Sequence, residues 1–320
     1  MKRTPALALL ATLACATPPP PLPPCAADTP GVPLAYQLHA PDGRTAFLQG
    51  SVHFAREAEA ELDPRAKEAL AHADLLVGEL DMENLSPMQV ASQLYEMGRL
   101  PEGQQLSDVL SPETFALLQQ RAKETDTNIE PFMQMKPWVL AMSFMAVSLV
   151  KSGFTPEEGV ELKVYSSERP KATRGLETIG DQLALFDDMS FEAQDHMLRD
   201  ALKPTEENAI QLESMFSAWR CGDAPALESV LNDMQSSDPD LASFYDATIF
   251  QRNQRMAKGV QAVMAESQHA FIIVGALHLV GARGIPALLQ QAGYRVEPLE
   301  VGRLPAGEPA DAGAPAASPR

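Results

Sequence analysis

Two copies of one short pattern, Gly-x-x-His, carry the side chains of this sequence that are best placed for chemistry. Gly50 and His53 follow the apolar run "FL" and a glutamine, and Gly275 and His278 follow the apolar run "FIIV" near the other end of the chain. A third apolar run, "LLVGEL", contains Glu79 close to its end. Glycine at the end of a buried strand permits a turn at low steric cost. The side chain that follows projects into the crevice where open α/β sheets bind ligands.

If these three strands are neighbours, two imidazoles and one carboxylate converge at one edge of a sheet. His53, Glu79 and His278 then form a donor set for a divalent metal ion such as Mn, Co or Zn, with positions left for water. A bound ion lowers the pKa of water and creates a nucleophile at neutral pH. The structural alternative stays open at this point, because a histidine that follows a strand is often a hydrogen-bonded structural residue. The sequence has no HExxH, GxSxG or GxxxxGK[ST] pattern, which excludes a zincin-type site and gives no sign of a nucleophile elbow or a P-loop.

The elements that must position these residues lie at both ends of the chain. "LAYQLHA" and "TAFLQG" predict a hairpin around "PDGR", and "ADLLVGELD" predicts a buried strand. "HAFIIVGALH" and "YRVEPL" predict two further strands near the C-terminus. Helical patterns fill most of the intervening sequence, including one predicted to begin at Thr155-Pro156-Glu157-Glu158. We therefore predict an α/β fold with a central mixed sheet built from both ends of the chain and a large helical insert.

The N-terminus is typical of a targeting segment. Lys2 and Arg3 precede an apolar run, and Ala27 offers a cleavage site with small residues before it. Cleavage after Ala16 is the alternative. We predict an exported chain, periplasmic or secreted, rather than a lipid-anchored one, because leucine is missing three residues before Cys15. The predicted organisation is a signal peptide over 1–27, a linker over 28–33, a folded domain over 34–301 with a helical insert over about 82–266, and a disordered tail over 302–320.

The composition limits the kinds of molecule that this protein is expected to bind. The formal net charge of −18 disfavours binding to nucleic acid through charge. The apolar run Pro137–Val150 is shorter than the roughly 20 residues that cross a bilayer, so no transmembrane span is expected. Only Cys221 is certain to lie in the predicted folded part, so no disulfide is expected. The sequence carries no signal for the oligomeric state.

Five further motifs follow one another along the chain. They are "MKPW" at 135–138, "GVEL" at 159–162, "GLETIGDQL" at 175–183, "QRNQRMA" at 251–257 and "GALHLVGARGIPALLQQAGYRVEPL" at 275–299. Together with the two GxxH patterns and "VGELD", they resemble the TraB/PrgY/GumN family, which is related to the TIKI metalloproteases and to the erythromycin-esterase and ChaN-like proteins. The resemblance spans about residues 34–299 and implies a fold of the erythromycin-esterase or ChaN-like type.

The resemblance also implies roles for five residues. His53, Glu79 and His278 match the family's His, Glu and His, which are expected to be metal ligands or acid–base groups. Arg252 matches a helical arginine that would hold a substrate carboxylate or an oxyanion by paired donors. Glu177 matches the glutamate of a Gly-Leu-Glu motif. Structural alternatives stay open, because Glu177 could support a turn and Arg252 could be a solvated helical residue.

Three hypotheses about function remain open at the level of sequence. The first is a metal-dependent hydrolase acting on peptides, and the second is a metal-independent, esterase-like hydrolase in which His53 is a general base oriented by Glu79. The third is a non-catalytic module that binds a peptide, haem or another small ligand. Glu161 stands where the family often has aspartate, which leaves the shape of the pocket and the substrate open.

Overall fold

A six-stranded mixed sheet forms the centre of the described chain. The computed structural model describes residues 24–26, 31–57, 59–124, 126–167, 170, 172–203, 205–237 and 241–299. Along the sheet the strands run in the order β4-β3-β5-β2-β1-β6. Their bounds are β1 Ala35–His39, β2 Thr45–Ser51, β3 Leu75–Gly78, β4 Thr173–Gly175, β5 His269–Gly275 and β6 Arg295–Pro298.

Strand pairing joins the two ends of the sequence, and the predicted fold class is confirmed. β1 and β2 form the predicted antiparallel hairpin, and β6 pairs antiparallel with β1 at the edge. β2 runs parallel to β5, and β3 runs parallel to both β5 and β4. Because β2, β5 and β3 are parallel neighbours, their carboxyl ends meet at one edge of the sheet.

The central strands are buried because most of their side chains are apolar on both faces. β2 is buried from Ala46 to Ser51, and β5 is buried from Ala270 to Val274. The rings of Phe47 and Phe271 stack across these two strands with centroids 5.4 Å apart. This rigid pair of strands carries both Gly-x-x-His patterns.

Helices make up most of the chain between β3 and β5. One group covers the sheet, and another packs around Trp138 in an apolar cluster of its own. A π-helical turn, Asp246–Gln251, leads directly into the helix that carries Arg252. The helices are α1 Pro64–His72, α2 Pro87–Gly98, α3 Leu106–Val109, α4 Pro112–Glu124, α5 Pro137–Lys151, α6 Val160–Ser166, α7 Ile179–Asp187, α8 Phe191–Ala201, α9 Thr205–Cys221, α10 Ala224–Ser237, α11 Ala242–Tyr245, α12 Arg252–Glu266 and α13 Ile285–Gln291.

The predicted helix start at Thr155 is wrong. Thr155 forms a β-bridge with Ala55, and α6 begins only at Val160. The backbone N–H of Thr155 donates to the carbonyl of Ala55 at 2.8 Å, so the extended pairing holds this residue out of a helix.

The expectation of no disulfide is also wrong. Cys25 is bonded to Cys221, with their Cα atoms 5.4 Å apart. The expectation assumed that Cys25 leaves with a signal peptide. In addition to the disulfide, the Gly31 N–H donates to the Cys221 carbonyl at the end of α9 at 3.0 Å.

The predicted terminal segments lie mainly beyond the described part of the chain. Of the predicted signal peptide, 1–27, only residues 24–26 are described, and the predicted tail, 302–320, is wholly outside. Within the described ranges, no helix has the length and apolar character needed to cross a membrane.

Candidate active site

His53 lies two residues beyond β2, at the carboxyl end of the sheet. Its Nδ1 donates to the Oε2 of Glu161, in the first turn of α6, at 2.5 Å. Gly159 makes this contact possible, because a Cβ there would lie only 2.3 Å from the carbonyl oxygen of His53. The Val160 N–H also donates to the carbonyl of Val52 at 3.1 Å. Close docking of the helix start against this backbone therefore sets the position of the carboxylate, which anchors the imidazole through Nδ1.

Glu79 follows β3 directly and reaches across the end of β5. Its Oε1 accepts the backbone N–H of Gly275 at 2.6 Å, and its Oε2 accepts the side-chain amide of Gln182 at 3.2 Å. A Cβ at Gly275 would lie 3.2 Å from Oε1, so glycine at this position leaves room for the carboxylate.

Arg252, the first residue of α12, is the centre of a buried network. Its Nε donates to Glu177 at 3.0 Å, and its Nη2 donates both to Glu177 at 2.7 Å and to Glu79. Its Nη1 donates to the carbonyl of Thr248 at 3.3 Å and to Nε2 of His278 at 3.2 Å. These contacts use all five N–H donors of a guanidinium. Arg252 therefore has no free N–H for a substrate carboxylate or oxyanion, the role that the resemblance implied.

His278 lies in a 3₁₀ turn that continues from β5. Its Nδ1 donates to Oδ1 of Asn253 at 2.6 Å, and the amide of Asn253 donates in turn to the carbonyl of Arg283 at 2.8 Å. The ring therefore carries its proton on Nδ1 and presents a lone pair on Nε2, which accepts from Arg252. Nε2 also lies 3.7 Å from Oε1 of Glu79.

Solvent access separates the two parts of the site. The side chains of Glu79, Glu177, Arg252 and His278 are each 4–8% exposed. The side chain of His53 is 59% exposed. Among the five residues predicted from sequence, His53 is therefore the one that a substrate can reach directly.

The pKa values of the two histidines are shifted in opposite directions. The charge of Glu161 raises the pKa of His53 from 6.5 to about 9, with a smaller contribution from Glu79. Burial lowers the pKa of His278 to about 4. At neutral pH, His53 is therefore an imidazolium and His278 is neutral.

The buried carboxylate beside them is ionised. Burial alone would raise the pKa of Glu79, but the charges of Arg252, His53 and His278, the last of which is protonated at the low pH where Glu79 titrates, bring it down to about 2. Burial likewise opposes the charge of Arg252, and its contacts with Glu177 and Glu79 outweigh that effect and raise its pKa. Glu79 and Arg252 thus hold opposite charges in nearly dry surroundings.

We compared the sequence of this chain with those of known protein families and proteins. The sequence profile of the TraB/PrgY/gumN family matches residues 35–298. The chain belongs to the TraB/PrgY/gumN family. The resemblance read from the motifs is thereby confirmed, and the matched range covers all six strands.

One curated relative of this TraB/PrgY/gumN chain is Metalloprotease TIKI1 from Danio rerio. It is 22% identical over 315 aligned positions, which cover 82% of this chain and 62% of the relative. The chain thus spans about three fifths of the length of the relative that it matches. No solved structure matches this chain.

The structure brings together four of the five predicted residues by direct contacts. Glu79, Glu177, Arg252 and His278 form one network, whereas His53 bonds to Glu161 at its rim. Within the described ranges, no group of three or more His, Cys, Asp or Glu side chains has the spacing of a metal site.

Three contacting residues were not predicted as members of the site. Glu161 was noted only as a departure within "GVEL", although its place in that motif could have marked it. Asn253 directly follows Arg252 in "QRNQRMA", which is a usable signal for a partner of His278. Gln182 lies in "GLETIGDQL", and nothing in its local pattern distinguishes it from a solvated helical glutamine.

Proposed function

We propose that this chain is an exported hydrolase that cleaves peptide bonds at the site built from His53 and the Arg252 network. A divalent metal ion, Mn, Co or Zn, would be bound by His53, Glu79 and His278. The name of the relative, Metalloprotease TIKI1, supports both the peptide substrate and the metal.

The burial of Glu79, Glu177 and Arg252 is the observation that carries the proposal. Charged side chains are rarely so buried, because desolvation of an ion pair costs about as much as the pair returns. A purely structural core would be at least as stable with apolar side chains at these positions. Their placement at the carboxyl ends of three parallel strands, beside two anchored imidazoles, is typical of a reaction centre.

The types of donor suit a divalent ion, although their spacing among the described residues is not that of a metal site. Both imidazoles are anchored through Nδ1 to an oxygen acceptor, Glu161 for His53 and Asn253 for His278, as is usual for metal-binding histidines. Glu79 adds an ionised carboxylate. When bound, the ion would supply an activated water molecule. It must compete with Arg252, which already holds Glu79 and His278, and with the proton on His53.

The chain's own residues supply acid–base chemistry and positioning. When no ion occupies its Nε2, the neutral form of His53 can accept a proton from water as the water oxygen attacks the carbonyl carbon, and it can then donate that proton to the leaving nitrogen. Glu161 keeps the ring oriented during this exchange. Arg252 is a positioning residue that fixes Glu79 and His278 against each other.

Export is the second part of the proposal. The disulfide supports it, because disulfides persist in oxidising compartments such as the periplasm and the cell exterior. It also favours cleavage of the signal peptide after Ala16, since cleavage after Ala27 would separate Cys25 from the rest of the chain.

A peptide-library digest tests the hydrolase. The purified chain is supplied with Mn, Co or Zn, and the products are identified by mass spectrometry. We expect cleavage by the wild type and by His72→Ala, a matched control at a surface histidine whose Nδ1 contacts the carbonyl of Glu68. We expect His53→Ala to lose about 100-fold or more in rate. No cleavage by the wild type with any of the metals would refute the proposal.

A metal-independent hydrolase is the second candidate, and one observation favours it. Arg252 already supplies the positive charge that Glu79 and His278 contact, so these two donors are occupied by a guanidinium. Full cleavage activity after exhaustive chelation, together with no metal retained in elemental analysis, would select this candidate over the metal-dependent one.

A further inference from the structure

Ser51 is a buried polar residue that neither the sequence patterns nor the network above accounts for. It is the last residue of β2 and is 2% exposed. Its hydroxyl has no hydrogen-bond partner among the side chains and backbone groups of the described residues. An unpaired hydroxyl in the interior costs free energy that alanine or valine would avoid.

The strand register directs this hydroxyl toward the reaction centre. Ser51 is the parallel partner of Gly275 on β5. Paired residues on neighbouring parallel strands point their side chains to the same face of the sheet. A Cβ on Gly275 would lie 3.2 Å from Oε1 of Glu79 and 3.5 Å from Cδ2 of His278. Ser51 therefore faces the side of the sheet that holds Glu79 and His278.

The order of the strands brings Ser51 and Glu79 into one part of the sheet edge. Glu79 follows β3, its Oε1 accepts the N–H of Gly275 on β5, and β2, which ends in Ser51, is the next strand along. Neighbouring strands are about 4.8 Å apart. Ser51 and Glu79 make no direct hydrogen bond. Because Oε1 of Glu79 is bonded to Gly275 and Ser51 lies one strand away from Gly275, one water molecule is suited to bridge the two groups.

We propose that Ser51 is a positioning residue of the reaction centre, whose hydroxyl and Glu79 together hold the water molecule consumed in hydrolysis. This inference rests on the proposed function. The water oxygen forms the bond to the carbonyl carbon, the bond from that carbon to nitrogen breaks, and one water proton passes to the leaving nitrogen. Ser51 forms no covalent bond and stays neutral throughout.

A matched pair of variants isolates the effect of the Ser51 hydroxyl on activity. Ser51→Thr and Ser51→Val have the same shape and differ in whether a hydroxyl is present. We expect Ser51→Val and Ser51→Ala to lower kcat about 10- to 100-fold. KM should change by less than about threefold. Ser51→Thr should recover most of the activity that Ser51→Val loses. Equal activity of the two variants would overturn the proposal.

Stability separates this role from a structural one. A hydroxyl kept for function should cost stability, so Ser51→Ala should unfold at the same urea concentration as the wild type or at a higher one. A clearly lower urea midpoint for Ser51→Ala would mean that the hydroxyl supports the fold, and the proposal would be overturned.

If the wild type cleaves no peptide, the proposed function is refuted, and a crystal structure then tests the inference about Ser51 separately. The inference about Ser51 would still stand if an ordered water lies within about 3 Å of both Ser51 Oγ and a Glu79 oxygen. It would fail if the Ser51 hydroxyl donates to a main-chain carbonyl instead.

Discussion

Replacing Glu161 with glutamine should change the acid–base behaviour of His53 while leaving its surroundings almost the same shape. Glu161 is the largest cause of the raised pKa of His53, through its charge at a separation of 2.5 Å. Glutamine keeps an oxygen that can accept from Nδ1 but removes the charge. The pKa of His53 should therefore fall from about 9 toward its ordinary value of 6.5.

The size of the effect follows from these two values. At pH 7.5, a group with a pKa of about 9 is only about 3% deprotonated, whereas one with a pKa of 6.5 is about 90% deprotonated. The neutral fraction of His53 should thus rise about 30-fold. If neutral His53 is the base, the pH at which metal-free activity levels off should move downward by up to about 2.5 pH units, the difference between the two pKa values.

Nuclear magnetic resonance measures this directly on the metal-free protein. The chain has six histidines, and the His53 ring signal is assigned by comparison with a His53→Ala sample. We expect the wild-type signal to titrate near pH 9 and the Glu161→Gln signal to titrate well below it. A wild-type midpoint near 6.5, or midpoints that agree within about 0.5 in the two proteins, would refute the reasoning.

Three further predictions concern stability. Arg252→Met should destabilise the fold by about 3–5 kcal/mol in urea unfolding, because it leaves buried carboxylates unpaired; Arg255→Met, at an exposed neighbour, is the control, and equal losses would contradict the account. The folded pKa of His278, about 4 against 6.5, means that its contribution to stability is lost as pH falls from about 6.5 to 4. His278→Asn should flatten that decline, and an unchanged decline would argue against a buried neutral ring. Reduction of the Cys25–Cys221 bond, which spans 196 residues of sequence, should cost at most about 5 kcal/mol; an intact mass that does not rise on reduction would show that the bond is absent.

The sequence predicted the sheet because its strands are local, buried apolar runs. "FLQG" and "FIIVG" each mark a strand with a glycine at or near its end. The matching contexts of His53 and His278 required these strands to be neighbours, and they pair in parallel. The helix start at Thr155 was mispredicted because the serine/threonine-proline signal is local, whereas the bridge to Ala55 that overrides it joins distant parts of the chain.

The contacts within the site were less accessible to prediction. Glu161 lies 108 residues from His53 in sequence, so only the docking of α6 reveals their pairing. The position of Arg252 between Glu79 and His278 depends on how α12 and the π-helical turn before it pack onto the sheet. A strand-end pattern contains no information about that helix. For the same reason, the sequence did not show that His53 is exposed while the other predicted residues are buried.

The comparison of peptide cleavage by the wild type and His53→Ala tests the central claim most directly. With the peptide that the wild type cleaves best, we expect kcat/KM to fall at least about 100-fold in His53→Ala and to stay at the wild-type value in His72→Ala. Equal kcat/KM in the wild type and His53→Ala would contradict the claim that this site performs the reaction.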